Sequence, residues 1–420
     1  MDVGGECMDG ALFSWIELDE IVRGFLATEA HFGDAKQLEK LGVDQGFLSV
    51  VMRLTPDWRG TDVAELPATL VVKVPTSETM MQMAAKAELA DSVEKVREIL
   101  DDVDFRADFD GTIRRLHNNE CDFYELVAAE NLQLAVPKVF GFRRFSEEHR
   151  QGIIVMEDLV CGKVTPLWEN LSIDAAKQLV DGLVALHAFA LENPRLEEGG
   201  RFDVPMSSVF LDKNIAMVKG MVESIKVARP GQTHLVDNLL FVYDSLMDLT
   251  RLKTIPEELD IPNVLLHGDL WISNVFWKDV DGGKKELVAV LDWQVAHFGC
   301  VTEDLIRFIT LALSGRDRRA HWKELLVYYH RKLEEKLGKR PPFSVDQLEE
   351  SYKRMFSVAS VLLLPAAGPV TEISMREKSV DEEEAARFRA IVDEKMNALL
   401  EDVVEGLPRE FSNNLITMYT

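Results

Sequence analysis

Apolar positions along this chain change period more than once. Near the start, Leu18, Ile21, Val22 and Phe25 recur at helical spacing. Ser14 with Glu17 three residues on makes a capping box ahead of them, and Phe13 and Leu18 stand where a hydrophobic staple would close it. After a glycine-containing turn from Leu41, residues 47–54 and 69–74 read as strands. Ile113, Leu116, Phe123 and Leu126 then outline a helix, and residues 138–143 and 152–156 predict two more strands. Beyond them the pattern turns helical. Leu179, Leu183 and Leu186 share a face within 172–192, Leu239, Leu240, Val242, Tyr243 and Leu246 mark helix within 203–259, and two later helices are expected over 344–364 and 384–405. The first of these opens on a second capping box, Ser344 with Gln347. Strands early and helices late predict an α+β chain.

One stretch, 265–293, breaks this order: a short apolar strand, a polar loop with Asp269 and Asn274, two apolar runs, then Asp292. An aspartate in a loop more often caps a turn than reacts. Here, however, the whole string His267-Gly268-Asp269-Leu270-Trp271-Ile272-Ser273-Asn274 is followed by Val290-Leu291-Asp292. An Asp and an Asn five residues apart have the spacing of a kinase catalytic loop, where the Asp handles the acceptor hydroxyl and the Asn binds Mg²⁺. A second carboxylate downstream is where such enzymes bind their main metal ion. Phosphoryl transfer requires little covalent help but does require a positioned hydroxyl and cationic charge on the phosphates.

These residues, with Trp293-Gln294, resemble the CHK kinase-like family, the ecdysteroid-kinase-like relatives of choline kinases and aminoglycoside phosphotransferases, in its nematode-type variant of unknown function. The resemblance implies a two-lobed protein-kinase-like fold: a small β-rich N-terminal lobe, about 1–158, and a larger helical C-terminal lobe, about 159–420, with the family core near 150–340. It implies ATP and Mg²⁺ as cofactors and a small-molecule alcohol, steroid-like or choline-like, as substrate, with no obligate protein partner. Asp269 would be catalytic, and Asn274 and Asp292 would hold metal. Lys73, between Val72 and Val74, would position phosphates with a helix acid, for which Glu120 is chosen over Glu125 because it precedes Phe123-Tyr124. Gly42, Gly46 and Ser49 are the nearest equivalents of a phosphate-covering loop, and Glu157 and Leu159 mark a hinge whose backbone would pair with adenine. Asp304 resembles the aspartate that braces the catalytic loop. Gly268 stands where protein kinases have the Arg of His-Arg-Asp, and no Ala-Pro-Glu segment follows. Phosphorylation of an activation loop is therefore not expected as a switch. The alternative is an inactive pseudokinase that binds a ligand or partner.

Composition narrows this only at the edges. The chain has 72 acidic and 47 basic side chains in 420 residues, a net charge of −25, which argues against a nucleic-acid partner. Cys7, Cys121, Cys161 and Cys300 have no metal-ligand spacing and read as reduced thiols. The first twenty residues carry Asp2, Glu6, Asp9, Glu17, Asp19 and Glu20 and no basic side chain, unlike a signal peptide. The most apolar window, 356–370, is broken by Pro365 and Pro369 and is shorter than the ~20 residues of a membrane span. A cytoplasmic protein is expected.

Overall fold

The structure, a computed structural model, describes residues 13–41, 48–77, 103–203, 219–220, 222–223, 225–226, 229–246, 250–361 and 363–405. By its contacts the chain divides into two units, 1–129 with 136–161, and 130–135 with 162–420.

The first unit begins as its pattern requires. Ser14 caps α1 (Trp15–Leu26) by accepting the Glu17 amide at 3.3 Å, and Ala27 ends it in the left-handed region. An antiparallel sheet follows, built from β1 (Gln37–Lys40), β2 (Ser49–Thr55), β3 (Leu70–Pro75), β4 (Val139–Arg143) and β5 (Ile153–Glu157), in the spatial order β1-β2-β3-β5-β4. Side chains alternate across the central strand β3. Leu70, Val72 and Val74 join Phe13, Leu18 and Val22 of the α1 region in one apolar cluster. Lys73, on the opposite face, reaches α2 (Val103–Ala129).

The second unit is mostly helical, and its strands are short. β6 (Lys163–Val164), β8 (Val275–Val280) and β9 (Lys284–Val290) form one small sheet, and β7 (Val264–Leu266) pairs with β10 (His297–Gly299) in another. The exposed edge of β9 is closed by a side chain: Gln178 of α3 (Ile173–Glu192) donates to the Lys285 carbonyl at 2.8 Å and accepts the Leu287 amide at 3.0 Å. Besides a single turn at Arg195–Glu198, the longer helices described are α4 (Thr233–Leu246), α5 (Thr250–Glu258), α6 (Glu303–Ala312), α7 (Gly315–Leu337), α8 (Val345–Val361), α9 (Leu364–Glu377) and α10 (Glu382–Glu405). Every residue of α6 is buried, which makes it the central rod of this unit.

The α+β organisation read from the sequence is the one observed, a β-rich N-terminal unit and a larger helical C-terminal one. One expected helix is divided in two. The helix expected over 344–364 ends at Val361 and a new helix starts at Leu364 with Pro365 in its first turn, where the missing N–H leaves no bond unmade. The Ser344–Gln347 capping box forms in both directions, at 2.8 and 3.2 Å. No described helix is long and apolar enough to cross a membrane.

Phe13 is fully buried beside Leu18, with the Arg143 guanidinium 4.9 Å from its ring. Phe13→Ala is expected to cost about 3–5 kcal/mol in urea unfolding. Ile16→Ala, on the 68 % exposed face of the same helix, should stay within about 0.5 kcal/mol. Equal effects would mean that α1 does not seal the sheet.

Candidate active site

In the first unit, Lys73 donates to Glu120 Oε2 at 2.6 Å, and both side chains are buried, 9 % and 1 % exposed. An ammonium in the middle of a buried strand needs such a partner, since an isolated charge there would be too costly to keep. Glu125 lies one turn further along α2 and pairs with Arg144 at 3.2 Å, so the geometry separates the two candidate acids. Ser49 opens β2 opposite Pro75 and is buried. Gly42 and Gly46 lie outside the described residues.

At the end of β5, the Glu157 carboxylate accepts the Lys138 amide at 2.6 Å, and its own amide donates to the Lys138 carbonyl at 2.9 Å. Asp158 is gripped by Arg53 through two bonds of 2.6 and 3.2 Å, a fork that fixes both partners. Leu159 is half-buried beside it.

In the second unit the loop after β7 is held by backbone bonds to buried side chains. The His267 and Gly268 amides donate to Asp304 Oδ2 and Oδ1 at 2.7 and 2.9 Å. Gly268 sits at φ +81°, and a Cβ there would fall 2.4 Å from the Val295 carbonyl oxygen and 2.7 Å from His297 Nδ1. His267 is buried. Its Nε2 lies 2.8 Å from the Leu291 carbonyl and its Nδ1 3.2 Å from the Asp269 amide. A carbonyl can only accept and an amide only donate, which assigns the neutral ring its proton on Nε2. Burial pushes the His267 pKa down, consistent with that neutral form.

Asp269 keeps 19 % of its side chain exposed. Its Oδ1 accepts Arg307 Nη2 at 2.6 Å, while Oδ2 lies 3.5 Å from Asn274 Nδ2, at the outer limit of a hydrogen bond. Burial pushes the Asp269 carboxyl up, Arg307 pulls it down, Asp292 adds to the rise, and the balance is a raised pKa. Asn274 anchors itself by donating Nδ2 to the Asp269 carbonyl at 2.9 Å, which turns its Oδ1 into the atom available to a cation. Leu291 donates its amide to the Asn274 carbonyl at 2.8 Å. Asn274 and Asp292 therefore stand at the same end of the β8–β9 hairpin, whose last paired residues are Val275 and Val290.

Asp292 has φ +66°, a conformation that costs most side chains free energy but that Asp tolerates better than most. Gln294 donates to its Oδ2 at 3.2 Å. Among the described residues no group of three or more His, Cys, Asp or Glu side chains could hold a metal ion alone. An amide oxygen and a carboxylate still fit Mg²⁺, which usually takes one or two protein oxygens and completes its shell with phosphate and water.

Arg307 was not foreseen from the sequence. Its signal was present, a guanidinium between Ile306 and Phe308 in an apolar run and three residues after Asp304, so on the same helical face. Arg307 also donates to the Ala359 carbonyl at 3.3 Å. Behind Gly268, His297 is buried, with its Nδ1 2.9 Å from the Val295 carbonyl and its Nε2 3.8 Å from Glu303. Burial pulls the His297 pKa down and Glu303 more than offsets it, leaving it raised.

Gly268→Ala is expected to lower the unfolding free energy by about 1–3 kcal/mol, because the clash is with backbone. Gly182→Ala, inside α3 where a Cβ meets nothing within 4 Å, should raise it by up to about 1 kcal/mol. Urea unfolding of both variants checks the pair, and a neutral Gly268→Ala would remove the steric argument.

Among known proteins, the DUF1679 family, described as "Uncharacterized oxidoreductase dhs-27", matches residues 9–407. A Caenorhabditis elegans protein of that name is 24 % identical over 365 residues, 83 % of this chain and 41 % of the relative. The uncharacterized kinase-like protein D1044.1 of the same organism is 35 % identical over 108 residues, 26 % of this chain and 28 % of the relative. The chain thus spans less than half the length of these curated relatives. Among solved structures, the GDP complex of aminoglycoside 2'-phosphotransferase-IIIa aligns with 94 % of this chain and 99 % of its own, at 14 % identity and a TM-score of 0.45. With nearly its whole length matched, the chain belongs to the DUF1679 family.

Proposed function

We propose that the chain is an ATP- and Mg²⁺-dependent phosphotransferase acting on a hydroxyl of a small molecule. The observation that supports this best is the loop from Gly268 to Asn274, where Asp269 has one carboxylate oxygen committed to Arg307 and the other only loosely engaged by Asn274. That second oxygen is suited to accept the proton of an alcohol and aim its oxygen. Arg307 keeps the carboxylate in one orientation and favours its ionised form. Asn274 and Asp292 would hold Mg²⁺, and Lys73, steadied by Glu120, would hold nucleotide phosphates. A bound metal would supply positive charge to the phosphate oxygens. Glu157 and Leu159 would offer backbone groups to the base.

A small acceptor is favoured by how the residues after Asp292 are used. They turn at Trp293–Val295, pair as β10 with β7, and enter α6 at Glu303. That leaves little chain to form the docking platform that protein kinases build after their metal aspartate. Among small alcohols, a steroid-like acceptor would need apolar walls and a choline-like one acids and aromatic faces. The word oxidoreductase comes with a relative of which this chain spans 41 %, and it assigns no reaction to this chain. In the alternative reading, a pseudokinase, the same residues bind without turnover.

ATP is expected to raise the melting temperature more with Mg²⁺ than without it, by the equivalent of about 2.7 kcal/mol at a hundred times Kd. Asp292→Ala should abolish the Mg²⁺-dependent part. An unchanged metal dependence in that variant would reduce Asp292 to the end of a strand.

Asp269→Asn should keep nucleotide stabilisation and lose about 10²–10⁴ in turnover. Because a base must be ionised and burial raises the Asp269 pKa, the rate should fall with decreasing pH through a limb above the ordinary aspartate value. Arg307→Met removes the group that lowers this pKa, and should move the limb further up. Near-normal turnover in Asp269→Asn, or a limb that Arg307→Met leaves in place, would contradict the assignment. Stabilisation without turnover in the unmodified protein would favour the pseudokinase.

A further inference from the structure

The loop that carries Asp269 is braced by α6, and α6 in turn ends on a buried lysine far along the chain. Lys395 of α10 is 1 % exposed. Its ammonium donates to the carbonyls of Leu311 at 2.7 Å, Leu167 at 2.8 Å and Glu169 at 2.7 Å. The Leu311 carbonyl lies in the last turn of α6, where no further turn of helix supplies a donor, and positive charge is favourable at that end. Three acceptors take three hydrogens, which only the protonated amine supplies. Burial pushes its pKa down to about 7, with Glu394 and Glu169 pulling the other way.

The preceding residue does the complementary job. Glu394 accepts the amides of Gly315 at 3.0 Å and Arg316 at 3.3 Å, the first residues of α7. Close approach is built in, since a Cβ on Gly315 would lie 2.2 Å from that of Ala398. Further along, Asp402 takes Arg318 at 2.5 Å and Arg319 at 2.8 Å. Two adjacent side chains thus cap the end of one helix and the start of the next, fixing the corner between α6 and α7.

We propose that Lys395, with Glu394, is a positioning residue for the catalytic loop: it fixes the far end of α6, so that Asp304 and Arg307 hold His267, Gly268 and Asp269 in register. The kinetic part of this rests on the phosphotransferase reading; the structural part does not. The inference can be tested in the full chain with Lys395→Met, which keeps the apolar stem and removes the donors. Hydrogen exchange of the His267 and Gly268 amides should speed up by about tenfold while amides in α3 change by less than about twofold, and kcat should fall with the nucleotide KM kept. Glu394→Ala, which leaves Lys395 in place, should do the same more weakly, and it decides the matter if Lys395→Met does not fold. Unchanged exchange at 267 and 268 in a folded variant, or acceleration spread evenly through 162–405, would overturn the brace. If the unmodified protein transfers no phosphate, the phosphotransferase reading fails while the exchange readout still decides whether α10 holds the loop.

Discussion

The amides of His267 and Gly268 follow β7 into a buried turn where no strand can pair them. Left unpaired, each would cost about 1–3 kcal/mol. Asp304 accepts both with its two carboxylate oxygens, and this pair of hydrogen bonds from side chain to backbone is the constraint on which the catalytic-loop candidate depends. It requires glycine at 268, because the turn takes φ +81° and brings the chain against the Val295 carbonyl. It also requires α6 to stand still, since Asp304 and Arg307 leave the same helix one turn apart to hold the loop backbone and the Asp269 carboxylate. The complete burial of α6 follows from that demand.

Much of this was legible in the sequence, and the exceptions have physical causes. The N-cap at Ser14, the capping box at Ser344 and the apolar run of β3 are local signals, and local signals survive into the structure. The string from His267 to Asn274 stood out because its Asp and Asn keep a catalytic-loop spacing, while Leu270, Trp271 and Ile272 between them are buried packing residues. Arg307 was missed because its contact with Asp269 spans 38 residues, and no periodicity reports a partner so distant. β1 has the polar sequence Gln-Leu-Glu-Lys and is a strand only because β2 pairs with it. The mostly polar α7 carries only a short apolar stripe, Leu325, Leu326, Tyr329 and Leu333, and α10 matters through Glu394 and Lys395, whose polar character looked like ordinary surface.

The first unit follows a separate logic. β3 is buried on both faces, and the ammonium of Lys73 is paired there with Glu120; breaking such a pair by removing one partner typically costs about 3–5 kcal/mol. Burying two charges where apolar residues would pack as well makes sense when the charges have another use, and in the proposed reaction that use is the nucleotide phosphates. Arg53 and Asp158 form a further ion pair, a two-bond fork beside Glu157 and Leu159.

The account stands or falls on whether a small alcohol receives phosphate. The most direct measurement is ³¹P NMR of the protein with ATP and Mg²⁺ against a panel of steroid-like, choline-like and simpler alcohols. The prediction is ADP together with a new phosphomonoester resonance that appears only with particular alcohols. Nucleotide bound with no phosphomonoester from any alcohol, or phosphate transferred to protein side chains instead, would contradict it.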